Sequence, residues 1–135
     1  MNTIISFSTS QREQLVDITS QVREVVRKCG FKNGLISVYA RGATAAIMIQ
    51  ENWDESVQKD VVRLLRDLVP PGIWEHDRQD GNGDAHLKSG IIGPSETIPL
   101  IDGDMALSTW QNIFFCEFDG PRRERQVSVC IIEDK

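Results

Sequence analysis

The spacing of hydrophobic and polar positions near the N-terminus changes from a strand-like to a helical period. Residues 2–8 and 13–18 are short apolar runs on either side of a polar turn, which is typical of β-strands. Residues 19–30 then repeat apolar side chains at helical intervals, and Gly30 is placed to end the helix. The apolar face of this helix consists of Val22, Val25, Val26 and Cys29. The pattern predicts two strands followed by a short amphipathic helix.

Two more strands and a second helix are predicted in the middle of the chain. Residues 34–40 and 43–50 are rich in β-branched and small apolar residues, and Arg41 and Gly42 separate them. Residues 52–71 return to helical spacing and end at two consecutive prolines. The apolar positions of this helix are Val57, Val61, Leu64, Leu65 and Leu68.

The second half of the chain begins with a segment that follows neither period. Residues 72–95 contain five glycines, which predicts a long loop with a short helix near residues 84–91. Four strand-like runs follow, at residues 96–101, 105–110, 112–118 and 125–132. Trp110 is expected in the core. The element order predicts one α+β domain over residues 1–135, with a mostly antiparallel sheet, two main helices and a long functional loop.

Charge and composition exclude several classes of protein. The chain has 135 residues, a hydrophobic fraction of 40% and a net charge of -5, so it lacks the positive charge of proteins that bind nucleic acid or anionic membranes. It shows neither a signal-peptide pattern nor an apolar run of membrane-spanning length, which predicts a cytoplasmic protein. The three cysteines, Cys29, Cys116 and Cys130, form no CxxC pair and predict buried free thiols.

Both histidines of the chain lie within residues 75–90, a polar segment rich in carboxylates. Neutral imidazole binds zinc-like metals, and a carboxylate from Asp84 or Glu51 would serve as a further ligand or as a base. His76 and His86 match no zinc-finger or HExxH pattern, and two histidines alone do not complete a tetrahedral shell. A divalent metal site, with zinc or magnesium, and a loop braced by histidines are both compatible with these residues.

Basic side chains in the second half suggest a different chemistry, the binding of an anion. The glycine-rich segment around Lys88 and Ser89 carries donors of the kind that bind phosphate or carboxylate. Arg41 stands between two strands, and Arg122 belongs to an arginine cluster at a strand connection, so both suit a bidentate contact with an anionic group. The cluster consists of Arg122, Arg123 and Arg125. A small anionic or phosphorylated ligand is therefore a predicted partner, although turns with solvated charges would explain the same residues.

Several motifs follow one another along nearly the full length of the chain. They are GLISVYA, TAAIMIQEN, DLVP, EHDRQDGNGDAHLKSGIIGPS, TIPLIDG and TWQNIFFCEFDGPRRER. In these segments the chain resembles the YjbQ-like family, whose members are often labelled secondary thiamine-phosphate synthase enzymes. The resemblance implies a compact α+β domain that assembles as a homotrimer with sites near the subunit contacts.

The resemblance also implies a site of three histidines, from which this chain departs. The family carries a histidine where the strand GATAAIMI begins, besides the two that match His76 and His86, and three imidazoles would leave a metal one open position. Here Gly42 and Ala43 stand in place of that histidine and the following threonine. Three consequences stay open: a metal held by two histidines and a carboxylate, an anion pocket around Arg41, or a fold that has lost the chemistry.

Thiamine-phosphate synthesis is the transferase reaction that the resemblance implies. It joins a pyrimidine diphosphate to a thiazole phosphate with loss of pyrophosphate, and it calls for cationic groups on the phosphate oxygens. The residues assigned to phosphate binding are Arg41, Lys88, Ser89 and Arg122. Those assigned to acid–base or metal-ligand roles are His76, His86, Glu51 and Asp84. The competing hypothesis is a non-catalytic oligomeric module that binds a ligand.

Overall fold

The computed structural model describes residues 1–135, which form eight β-strands and three α-helices. The strands are β1 (Asn2–Phe7), β2 (Gln14–Asp17), β3 (Gly34–Arg41), β4 (Ala45–Gln50), β5 (Ser95–Ile101), β6 (Asp104–Met105), β7 (Asn112–Glu117) and β8 (Arg125–Glu133). The helices are α1 (Thr19–Cys29), α2 (Ser56–Leu68) and α3 (Gly83–Ile92), and a single 3-10 turn spans Glu75–Arg78.

The strands form two sheets in which every pair is antiparallel. The larger sheet has the order β1-β8-β3-β5-β6, and the smaller has the order β2-β7-β4. This architecture confirms the predicted α+β class with a mostly antiparallel sheet. Several strands that are consecutive in sequence lie in different sheets, among them β1 and β2 as well as β3 and β4, whereas β5 pairs with β6. The connection at residues 42–44 therefore carries the chain from one sheet to the other.

The main core lies between the two sheets. Side chains from both sheets and from α1 form one cluster of 17 buried residues. Strand β8 shows how the alternation builds this cluster, since Val127, Val129 and Ile131 are buried while the residues between them are partly exposed. Helix α1 adds Val22 and Val26, as its sequence period predicted. Each such side chain contributes roughly 1.5–3 kcal/mol through its removal from water.

Helices α2 and α3 cover the outer face of the smaller sheet and form a second cluster with it. The members of this cluster are Ala46, Leu65, Ala85, Cys116 and Phe118. Ala46 and Ala85 are fully buried, and such small side chains let α3 approach β4 closely. The predicted apolar face of α2 is only partly correct, because Leu64 is 57% exposed and Leu68 is 66% exposed.

Two further predictions from the sequence require correction. The strand predicted over residues 105–110 is reduced to the short β6, and Trp110 is 53% exposed rather than in the core. The Trp110 ring packs edge to face against that of Trp53, with centroids 5.3 Å apart. The three cysteines are free as predicted, but only Cys116 is buried. None of the three helices combines the length and the apolar character that crossing a bilayer would need.

Candidate functional site

A polar cavity of about 570 Å³ opens where the β3–β4 connection, the start of α3 and the β7–β8 connection meet. Its lining consists of Arg41, Gly42, Ala43, Thr44, Asn82, His86, Arg122, Glu124, Arg125 and Gln126. Ala43 is the one hydrophobic residue in this lining. Three arginines and one carboxylate, Glu124, are part of this lining.

Arg41 is the last residue of β3 and lies on the outer face of the larger sheet. The alternation of β3 buries Ile36, Val38 and Ala40 and leaves Arg41 exposed. Its Nη1 donates a 3.1 Å hydrogen bond to Oε1 of Gln126, which is its direct partner across β8. Because this partner is a neutral amide, the contact does not balance the positive charge of Arg41.

Arg125 belongs to the inner face of β8 and is the most buried arginine of the cavity, with 5% exposure. Its Nε donates to Oε1 of Glu117 at 2.9 Å, and its Nη2 bonds the other carboxylate oxygen and the Thr44 hydroxyl. Glu117 is fully buried and also accepts a hydrogen bond from the Thr9 hydroxyl at 2.7 Å. These contacts hold the Arg125 guanidinium at the base of the β3–β4 connection.

Asp119 is not part of the lining, but it accepts hydrogen bonds from two residues that are. Its Oδ2 accepts hydrogen bonds from Asn82 Nδ2 at 2.7 Å and from Arg122 Nη2 at 3.0 Å. Asn82 immediately precedes α3, so the contact joins that helix to the β7–β8 connection. With Nδ2 directed to Asp119, the Oδ1 of Asn82 is buried and has no hydrogen-bond partner.

The two histidines meet, although they lie on different elements. His76 is in the 3-10 turn and His86 is in α3, and their rings pack edge to face with centroids 4.6 Å apart. His76 Nε2 also lies 3.5 Å from Oδ2 of Asp80. Only His86 lines the cavity, and His76 packs behind it.

Within this chain the side chains around the histidines do not form a complete set of zinc ligands. No group of three or more His, Cys, Asp and Glu side chains is arranged to hold a metal. Asp77, on the same 3-10 turn as His76, instead accepts the backbone N–H groups of Trp74 and Gly83 at 2.9 and 2.8 Å, and these bonds lower the pKa of its carboxyl group. A protein zinc site needs at least three ligands, and the histidine pair supplies two.

Asp84 and Lys88 are residues of α3, and their side chains belong to a buried ion cluster that is not part of the cavity lining. Lys88 Nζ is 2.8 Å from Asp84 Oδ2 and 3.5 Å from Glu13 Oε1, and Arg12 binds both oxygens of Asp84. Burial raises the pKa of Asp84, but the hydrogen bonds and charges of Arg12 and Lys88 outweigh burial, and the pKa is lowered. In this chain the two side chains therefore stabilise the position of α3.

Two other predicted site residues also take part in contacts outside the cavity lining. The Ser89 hydroxyl donates a 2.6 Å hydrogen bond to the carbonyl oxygen of Ala45 and is buried. Glu51 follows the C-terminal end of β4, whereas the cavity lies at its N-terminal end. The six residues of β4 separate the two ends by roughly 20 Å. Within one chain, Glu51 therefore does not join the histidines.

The cavity contains some of the predicted residues and several others. Arg41, Arg122 and His86 were singled out from the sequence, and all three line the cavity. Asn82 and Thr44 were not predicted as site residues, because nothing in the local sequence distinguishes them from capping or strand residues. For Arg125 the alternation of β8 was an available signal, since it places this arginine on the inner face with the core valines.

Comparisons with known proteins extend over almost the whole chain. The family model described as UPF0047 protein YjbQ-like matches residues 3–134. A UPF0047 protein of Methanocaldococcus jannaschii is 46% identical over 127 residues, which are 94% of this chain and 91% of the relative. The UPF0047 protein YugU of Bacillus subtilis is 38% identical over 121 residues, covering 87% of this chain and 89% of the relative. A solved YbjQ-like protein of unknown function from Sulfolobus solfataricus has a TM-score of 0.96 at 36% identity, over 99% of this chain and 97% of that one.

Proposed function

Because this chain belongs to the YjbQ-like UPF0047 family, a family of uncharacterised function, we propose its role from its own cavity: it binds a small phosphorylated anion there. One observation carries the proposal. Three arginine side chains and His86 line a single polar cavity that contains one carboxylate, Glu124. Guanidinium groups bind phosphate oxygens in a bidentate manner, so the lining suits a phosphate ester better than a neutral ligand.

The three arginines differ in the charge that they offer to a ligand. Arg125 is neutralised by Glu117, and Arg122 is paired with Asp119 at 3.0 Å. Arg41 bonds only the amide of Gln126, so it supplies the positive charge that is least compensated. A charge-assisted hydrogen bond is worth about 1.5–3 kcal/mol. We expect Arg41 and Arg122 to make the contacts that dominate affinity.

The reaction that we propose to test first is the secondary thiamine-phosphate synthase activity suggested by the family resemblance. Both of its substrates carry phosphate groups, and the reaction releases pyrophosphate, which agrees with a cavity rich in arginine. Here Arg41 and Arg122 would bind phosphate oxygens, and His86 would exchange a proton at the cavity wall. Asp84 and Lys88 would act indirectly, by holding α3. A non-catalytic module that binds the same class of anion is the alternative.

Calorimetry with inorganic pyrophosphate tests the binding proposal. We expect Arg41→Ala and Arg122→Ala each to weaken binding about tenfold or more, which corresponds to the loss of at least about 1.4 kcal/mol. Arg123→Ala is the matched control, because Arg123 neighbours Arg122 in sequence but does not line the cavity. Absence of pyrophosphate binding to the unaltered protein would contradict the proposal.

An assay of thiamine phosphate formation from both substrates separates the enzyme from the module. If the enzyme proposal holds, His86→Ala and Arg41→Ala lower the rate, whereas Arg123→Ala does not. Pyrophosphate binding without any product formation would favour the non-catalytic alternative.

We also propose the homotrimer that the family resemblance implies. The outer face of the larger sheet supports it, because apolar side chains are exposed there: Leu35 by 52%, Tyr39 by 46%, Ile101 by 53% and Ile132 by 65%. Exposed apolar patches of this kind favour protein contacts. Light scattering after size-exclusion chromatography would measure the oligomeric state, and a monomeric mass at micromolar concentration would reject the trimer.

A further inference from the structure

One nitrogen of the Arg125 guanidinium is free. The hydrogen bonds of this group to the protein all come from Nε and Nη2, which bind Glu117 and Thr44. Nη1 makes no hydrogen bond. Among the buried side-chain nitrogen and oxygen atoms, only Oδ1 of Asn82 lacks a hydrogen-bond partner, so Nη1 is not one of the buried atoms. Nη1 therefore remains accessible in the cavity that Arg125 lines.

Gly42 keeps that nitrogen uncovered. A Cβ atom at position 42 would lie 3.0 Å from Nη1 of Arg125, tighter than an ordinary van der Waals contact. The backbone at Gly42 also has φ +152°, a conformation that side chains with a Cβ rarely adopt. Any other residue here would both strain the β3–β4 connection and place atoms against the guanidinium.

We propose that Gly42 and Arg125 form the innermost anion-binding subsite of the cavity, with Nη1 donating to an oxygen of the ligand's terminal phosphoryl group. The inference rests on the proposed function and extends it. Arg41 and Arg122 are much more exposed than Arg125 and bind from the rim, while Arg125 is held in place by a buried carboxylate before the ligand arrives. A donor oriented in advance loses little freedom on binding.

The subsite also determines which phosphorylated ligands fit. Nη1 belongs to the most buried arginine of the lining, so we expect it to pair best with the end of a ligand that offers the most free oxygens. A phosphate monoester or a diphosphate presents such an end, with several free oxygens. A phosphodiester carries a substituent on each side and has one free oxygen fewer. The ligand class is therefore a terminal phosphoryl group.

Three variants test the subsite, with calorimetry using inorganic pyrophosphate as the probe. Gly42→Ala places a methyl group against Nη1, and Arg125→Lys retains a positive charge for Glu117 but removes the forked donor. We expect each to weaken pyrophosphate binding about tenfold or more. The double variant Glu117→Gln/Arg125→Gln removes both buried charges together, which avoids an unpaired carboxylate, and we expect the same loss of affinity.

Gly30→Ala is the matched control for backbone strain. Gly30 ends α1 at φ +74°, and a Cβ there meets nothing within 4 Å, so the substitution strains the backbone without entering the cavity. We expect its pyrophosphate affinity to remain within about twofold of the unaltered protein. If Gly42→Ala fails to fold, the Arg125→Lys and double variants decide the question.

The outcomes separate this inference from the proposed function. If Arg41→Ala weakens pyrophosphate binding while Gly42→Ala, Arg125→Lys and the double variant do not, the subsite is wrong and the wider proposal stands. If the unaltered protein binds no pyrophosphate, both are wrong. Methyl phosphate binding at least about tenfold more tightly than dimethyl phosphate would support the terminal phosphoryl group, and equal affinities would overturn that assignment.

Discussion

Lys88 and Asp84 lie one turn apart on α3, with Nζ 2.8 Å from Oδ2 and both side chains fully buried. The pair is joined by Arg12 and Glu13 from the segment before β2. Glu13 is in turn 3.4 Å from Arg66 of α2. This one cluster therefore links α3, α2 and the N-terminal segment, and α3 carries His86 to the cavity wall.

Removal of the Lys88 charge should destabilise the protein strongly. Lys88→Met keeps much of the side-chain volume but leaves two buried carboxylates with one cation fewer, and breaking a buried pair costs about 3 kcal/mol or more. Urea denaturation would measure the free energy of unfolding. Lys28→Met is the control, because Lys28 forms an exposed pair with Glu24 at 3.3 Å and should change stability by less than about 0.5 kcal/mol. Equal effects of the two substitutions would contradict the structural role of the cluster.

The same cluster should determine part of the stability at acid pH. The folded-state pKa of Asp84 is lowered below its ordinary value of 3.8, so the ionised carboxylate contributes stability that is fully present above pH 3.8. That contribution is lost as the pH falls through the lowered pKa. We expect Asp84→Asn to be less stable than the unaltered protein at pH 7 and to lose less stability between pH 4 and pH 2.

Thermal denaturation across this pH range would measure the effect. Asp54→Asn is the control, because Asp54 has a lowered pKa from its hydrogen bonds with Ser56 but is exposed to solvent. An acid limb that is identical in Asp84→Asn and in the unaltered protein would show that Asp84 does not govern it.

Many elements of the fold were predictable from local patterns in the sequence. Where the structure differs from the predictions, the difference has a physical cause. Helix α1 and strands β3 and β8 were predictable because their apolar periods directly match the buried faces. The sheet to which a strand belongs was not predictable, since pairing depends on partners distant in sequence. In α2, Leu64 and Leu68 keep the helical spacing of apolar residues, but no other element covers them and they are exposed. The spacing alone therefore does not predict which apolar positions are buried.

Part of the candidate site was likewise predictable from the sequence, and part of it was not. The meeting of His76 and His86 and the lining role of Arg41 concern residues whose chemistry stands out in the sequence. The burial of Lys88 was hidden, because its partner Glu13 lies 75 positions away and reaches it only in the folded chain. A lysine in a glycine-rich segment is otherwise typical of an exposed donor, which explains why it was assigned to phosphate.

Gly120 should not tolerate a side chain. A Cβ atom there would lie 2.1 Å from the carbonyl oxygen of Gln11 and 2.9 Å from Cγ of the buried Glu117. We expect Gly120→Ala to lower the free energy of unfolding by about 2–3 kcal/mol through overpacking. Gly90→Ala is the matched control, since a Cβ there meets nothing within 4 Å and alanine should strengthen α3 by about 0.5–1 kcal/mol. Chemical denaturation of both variants gives the comparison, and a neutral Gly120→Ala would refute the close packing.

The three cysteines should differ sharply in their reactivity toward an aromatic disulfide reagent such as dithiobis(nitrobenzoic acid). Burial raises the pKa of Cys116 to about 12, so its thiolate is scarce at neutral pH and the reagent has no access to it. Cys29 and Cys130 are partly exposed and should react in the native protein. We therefore expect absorbance to report two modified thiols under native conditions and the third only after denaturation. Mass spectrometry of Cys116→Ala should show the same two modifications in the native protein. Rapid native modification of Cys116 would show that the helices covering the smaller sheet open readily.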